Sequence, residues 1–188
     1  WDDHARELYD NFDRKLNGEQ LAETAREVAA GATDSREVLA RLHAYCRRRI
    51  RNLDEEAGNS DPPLGWKLRK PAEILKSGKG TRQEIRFVFA ELARSLGFEP
   101  HLAALSSRKR YLLGRDFGWP GLLEGFAVAV SLPDGWVFTD PGNPVLPPLT
   151  LPWWNEGAAA LVAGPEGGRF LEPSQRTAAE NRRVSRLD

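Results

Sequence analysis

The sequence predicts an α+β fold, and three observations carry that prediction. Apolar residues recur at helical spacing through the first half of the chain. One stretch, Thr81 to about Leu96, is apolar around most of its helical circumference. The second half switches to short runs of strand period joined by turn residues. Helices first and an antiparallel meander second place the apolar helix centrally, packed on the sheet.

The elements follow in order. Leu21, Ala22, Ala25, Val28 and Ala29 share a helical face. Asp34 and Ser35 offer N-caps for a longer helix with Val38, Leu39, Leu42, Tyr45, Cys46 and Ile50 on one side, because their short polar side chains accept from the orphan N–H groups of a first turn. Residues 52–70 carry Gly58, Asn59, Ser60, Asp61, Pro62, Pro63 and Gly65 and are expected to form a long loop. A short helix starts at Pro71 and stops near Gly78. Thr81 and Glu84 have capping-box spacing, in which each side chain satisfies the other's backbone N–H. Ile85, Val88, Phe89, Leu92, Ala93 and Leu96 then form a wide stripe, Phe87 widens it, and Gly97 ends it. Strands are predicted at His101–Leu105, Phe126–Leu132 and Trp136–Thr139, the last two joined through Pro133-Asp134-Gly135. A weaker pair is expected at Ala159–Ala163 and Arg169–Leu171. Residues 1–173 are expected to form one domain and 174–188 a polar tail.

Composition narrows the function. Lysine plus arginine and aspartate plus glutamate both number 27, so no field of one sign marks a nucleic-acid partner. The basic runs at Arg47–Arg51, Arg108–Arg110 and Arg182–Arg186 read as solvated faces and a frayed tail. No apolar run approaches the roughly 20 residues of a membrane span. The chain starts at Trp1 and holds no methionine, and is expected to be a piece of a longer protein. A single cysteine, Cys46, excludes an internal disulfide and a multi-cysteine zinc site. No histidine pair has metal-ligand spacing, so neither a metal site nor any other cofactor is expected.

Three signatures stand out: the helix ending in Arg49-Ile50-Arg51, the run Arg69-Lys70-Pro71-Ala72-Glu73-Ile74-Leu75-Lys76 followed by Gly78-Lys79-Gly80, and the strand ending in Phe138-Thr139-Asp140-Pro141. Taken with the element order, they resemble the bacterial transglutaminase-like superfamily over roughly residues 20–165, and so a fold related to papain's. In that family a Gly-Asp-Cys turn places a nucleophilic thiolate at the amino end of the central helix. A histidine and an aspartate on successive strands complete the triad. The helix dipole and an imidazolium lower the thiol pKa, and the aspartate fixes the imidazole's tautomer.

This chain departs from that pattern where the chemistry starts. Gly80-Thr81-Arg82 stands in place of Gly-Asp-Cys, and Gly125 or Phe126 stands where the histidine belongs. Only Asp140 matches. A guanidinium stays protonated and cannot act as a nucleophile. Arg82 is expected either to pair with the orphaned Asp140, to point into solvent, or to hold a ligand carboxylate. Cys46 reads as a buried core thiol, with His43 at the edge of the same stripe. Gly78-Lys79-Gly80-Thr81 is too incomplete to be a phosphate loop.

The tryptophans Trp66, Trp119, Trp136, Trp153 and Trp154 fall in or beside loops. They either roof an irregular core or form aromatic platforms for peptide or glycan, Trp119 and Trp136 being the binding candidates. The expectation is therefore a non-catalytic binding or scaffolding domain whose partners are neighbouring domains, a peptide or a glycan. The resemblance also implies a periplasmic or other extracytoplasmic location. The competing reading is an amidase, peptidase or acyltransferase that uses Asp140, Glu84 or Cys46 in a new arrangement.

Overall fold

Three of the helices carry local start or stop signals where the sequence offers them, and the first two have no side-chain cap. A computed structural model describes residues 1–54, 68–109, 113, 116 and 119–176. In it α1 spans Asp2–Asn11, a 3-10 turn Asp13–Lys15, α2 Ala22–Ala29 and α3 Ser35–Arg49. Asp34 caps α3 by accepting from the Glu37 N–H at 2.8 Å. Next come β1 (Arg51–Asn52), α4 (Pro71–Ser77), β2 (Lys79–Gly80) and α5 (Arg82–Ser95). Pro71 sits at the first turn of α4, where its missing N–H costs nothing, and Gly78 closes the helix at φ +64. The bulk of the predicted 52–70 loop, with Trp66, lies outside the described residues, as do Arg110 and residues 177–188.

The second half is the predicted meander. β3 (Pro100–Leu105), β4 (Gly125–Leu132), β5 (Gly135–Thr139), β6 (Ala160–Val162) and β7 (Arg169–Leu171) form one antiparallel sheet in the order β5-β4-β3-β6-β7. A separate parallel pair joins β1 to β2 through Arg51↔Lys79 and Asn52↔Gly80. The β4–β5 hairpin turns at Gly135, whose φ of +126 disfavours any side chain.

Alternation in the strands divides the core in two. Leu102, Ala104, Val128, Val130 and Leu161 face the helices and join Phe12, Leu42, Ile85, Phe89 and Leu92 in the main cluster. Ala103, Ala127, Ala129, Ala160 and Phe138 face the other way, under Leu151. Every residue of α5 from Glu84 to Ala93 is buried, so the helix is central, as its all-round apolar pattern predicts. The second face is sealed partly by the segment after β7. The Gly157 N–H donates to the Pro173 carbonyl at 2.7 Å, and Arg176 donates through Nε to the buried Glu156 carboxylate at 2.5 Å. Packing against the domain thus continues three residues into the predicted tail.

Candidate functional site: the amino end of the central helix

The first turn of α5 is held by an interlocked set of polar contacts. Thr81 Oγ1 accepts from the Glu84 N–H at 3.2 Å, and Glu84 Oε2 accepts from the Thr81 N–H at 3.0 Å. Arg69 then grips Glu84 with both arms, Nε to Oε1 and Nη2 to Oε2, each at 2.7 Å. Burial alone would push the Glu84 carboxyl up, but Arg69 and the Thr81 N–H outweigh it and hold the group below its ordinary 4.5. The Arg82 N–H is taken by Asp54 Oδ2 at 2.7 Å. Asn52 Nδ2 donates to the Gly142 carbonyl at 2.8 Å, tying the same segment to the turn after β5. That turn sits on the helix: a Cβ at Gly142 would lie 2.7 Å from the Arg82 carbonyl oxygen, so only glycine fits there.

Asp140 leaves β5 directly beneath this turn and is buried. Its carboxylate is bound bidentately by Arg86, Nε to Oδ1 at 2.8 Å and Nη2 to Oδ2 at 2.9 Å. It also accepts from the Gly142 N–H at 3.1 Å. Arg86 itself is 1% exposed. The ion pair expected of Arg82 is therefore made by Arg86, one turn deeper on α5. Arg82 occupies the first helical position, where its Nε is buried yet has no hydrogen-bond partner among the described residues. Sequence reasoning passed over Arg86, although a signal was present. An arginine set between Ile85 and Phe87 in a helix apolar on every side has to face the interior, and a buried guanidinium requires a carboxylate.

Gly125 and Phe126, either of which is expected where the family carries its histidine, are the first two residues of β4. Phe126 shares the helix-facing side of the strand with Val128 and Val130 and packs on the main cluster. A Cβ at Gly125 would meet only Leu105 Cβ, at 4.0 Å.

The remaining reactive groups are closed in. Cys46 is fully buried on α3, and burial pushes its thiol far above the ordinary range. His43 lies one turn earlier, not at the stripe's edge as expected but wholly inside. Its Nδ1 lies 2.7 Å from Thr139 Oγ1, the residue before Asp140. Burial, with the nearby Arg47 charge, lowers the His43 pKa to about 4. Among the described residues no three His, Cys, Asp or Glu side chains are placed to hold a metal ion.

The described tryptophans disperse rather than converge. Trp119 is 59% exposed, and its ring abuts Gly121. Trp136 stands on β5 at the far end from Asp140, its ring 5.9 Å from that of His101. Trp153 and Trp154 meet edge to face at 5.8 Å, with Lys109 Nζ 3.5 Å over the Trp154 ring. Arg82 and Asp140 both border the turn at Gly142, whereas Trp136 lies at the other end of β5. A cavity of about 570 Å³ opens beside the site, lined by Arg47, Arg51, Asn52, Ile85, Pro141 and Gly142.

A central capped helix whose first turn meets an aspartate at the end of an antiparallel strand is the framework of the transglutaminase-like class. The Transglutaminase-like superfamily model matches residues 22–141, and the chain belongs to that family. The fold also resembles a crystal structure of a candidate protease from Parabacteroides distasonis ATCC 8503, with a TM-score of 0.63 at 15% identity. That likeness covers 92% of this chain and 31% of the other, so this chain spans about a third of that protein's length. No curated protein matches the chain in sequence.

Proposed function

We propose that this domain has given up transglutaminase-type chemistry and serves as a non-catalytic binding or scaffolding module of a larger, extracytoplasmic protein, set against its neighbouring domains. One observation carries the reading: the aspartate left over from a triad is neutralised by a buried arginine, where a catalytic aspartate would orient an imidazole. The other groups that could supply new chemistry are also committed. Glu84 is clamped by Arg69 and the Thr81 N–H. Cys46 is buried with its thiol held protonated. A general base or nucleophile needs a free lone pair within reach of substrate. None of these three side chains offers one.

The competing reading, a hydrolase with substituted residues, draws on the Parabacteroides distasonis likeness. Two measurements separate them. The first follows amine incorporation and peptide hydrolysis by the purified chain; no rate above the buffer blank is expected. The second follows reaction of Cys46 with an aromatic disulfide reagent under native conditions, where labelling is expected only as fast as the fold opens. Turnover abolished by Asp140→Asn, or rapid native labelling, would overturn the proposal.

A further inference from the structure

At the opposite end of the sheet, polar groups gather around an open cavity instead of around each other. β6 leaves the sheet at Ala163. The Ala163 N–H still reaches the Leu102 carbonyl at 2.9 Å, but the Leu102 N–H is taken by the Asp13 carboxylate, 3.3 Å from each oxygen. Asp13 thus fills the place of the missing strand, and it is wholly buried. Its Oδ1 lies 3.2 Å from His101 Nδ1, an ion-pair distance set off the line of a good hydrogen bond. Asp13 lies against one edge of the imidazole. On its other side His101 lies against Trp136.

The strand register then sets the neighbours. His101 pairs with Ala129, and Ser131 pairs with Trp136. Ser131 lies two residues beyond Ala129, so His101, Ser131 and Trp136 share one face of the sheet. They line a cavity of about 560 Å³ with Glu99, Arg169 and the Gly164–Gly168 turn. Trp136 also borders a second cavity of about 250 Å³, beside Leu149 and Leu151. No hydrogen bond or ion pair engages the side chains of Glu99, Ser131 or Arg169 among the described residues. The four residues from Trp136 to Asp140 put about 13 Å between this cavity and the old site.

We propose that the larger cavity binds a neutral oligosaccharide, with Trp136 as the stacking platform and Glu99, Ser131 and His101 as the hydroxyl-binding groups. Carboxylates only accept hydrogen bonds, and sugar hydroxyls can donate them in pairs. A pyranose ring also presents an apolar C–H face that suits an indole. The walls carry the carboxylates of Asp2, Glu99 and Glu166 against the guanidinium of Arg169, so acceptors are in excess, as hydroxyl donors require, and the tetralysine tests whether a cation is preferred. A cavity of about 560 Å³ is of the size that takes a ligand of several rings. The proposal gives the binding reading a ligand class and does not depend on the loss of acyl chemistry, so the two can fail separately.

The test is calorimetric titration of the whole chain with tetrasaccharides of N-acetylglucosamine, cellulose, starch and xylan type, alongside a tetralysine and a proline-rich peptide. At least one saccharide should bind with a Kd below roughly 1 mM. Trp136→Ala should weaken that affinity about tenfold, and Glu99→Gln about threefold, while Trp153→Ala leaves it unchanged. Should Trp136→Ala fail to fold, the exposed substitutions Glu99→Gln and Ser131→Val decide. Silence from every saccharide, response to a peptide alone, or binding that survives both Glu99→Gln and Ser131→Val would overturn the assignment.

Discussion

The two ends of β5 are built to opposite rules. Around Asp140 the polar groups are committed to one another: Arg86 on Asp140, Arg69 on Glu84, Asp54 on the Arg82 N–H. Around Trp136 an imidazole, a hydroxyl and a carboxylate border open space. Pairing of the first kind fixes a helix and a turn. Groups of the second kind cost the fold little, since water serves them until a ligand arrives. One end of the strand holds its polar groups in mutual contacts, and the opposite end carries the free polarity.

The sharpest way to break this contrast is to open the closed end. Arg86→Leu leaves the Asp140 carboxylate buried with only the Gly142 N–H. Removal of one partner from a buried pair costs about 3–5 kcal/mol. Urea denaturation should show that loss. The double variant Arg86→Leu with Asp140→Leu should recover a large part of it, because two apolar side chains leave no orphaned charge. If Arg86→Leu is as stable as the parent, Asp140 is solvated and the closed-end description is wrong.

The elements that sequence made legible are those whose signals are local. The Thr81–Glu84 box, the glycine ends of α4 and α5 and the Pro133–Gly135 turn are each specified within a few residues, and each stands as predicted. The site was only half legible. The place of Asp140 followed from the strand that delivers it, but its partner came from 54 residues away. Arg82 drew the expectation because of its position in a motif, whereas Arg86 sits deeper, where helix geometry carries a long side chain back under the sheet. His43 shows the same limit. Its partner Thr139 is 96 residues distant, and no pattern in α3 announces a hydroxyl across the core.

His43 supplies the next test, and its sign can be worked out. Its folded pKa of about 4 lies below the ordinary 6.5, so the unfolded chain binds the proton more readily. Stability should therefore be level above pH 6.5 and decline as the pH falls from 6.5 towards 4. The integrated loss is on the order of 3 kcal/mol at most. His43→Asn keeps a nitrogen or oxygen near Thr139 Oγ1 and removes the titration. Thermal melts from pH 7 to 4 should then be flatter for the variant than for the parent. Equal slopes would place the imidazole in contact with water, against its burial.

The smallest effect concerns the box at the helix end, where Glu84 serves two masters. Glu84→Gln keeps an oxygen for the Thr81 N–H but removes the charge that Arg69 grips. Glu84→Ala removes both. Loss of a helix cap costs about 1 kcal/mol, and Arg69 is part exposed, so its share is small. Glu84→Gln should therefore fall within about 1 kcal/mol of the parent, and Glu84→Ala should lie about 1–2 kcal/mol below it. The pH sign is opposite to that of a raised group. A carboxyl held below 4.5 contributes fully above that value and loses its contribution as the pH falls through its lower folded pKa, so the gap between parent and Glu84→Gln should narrow in acid. A gap that widens there would mean that burial, and not Arg69, governs this carboxylate.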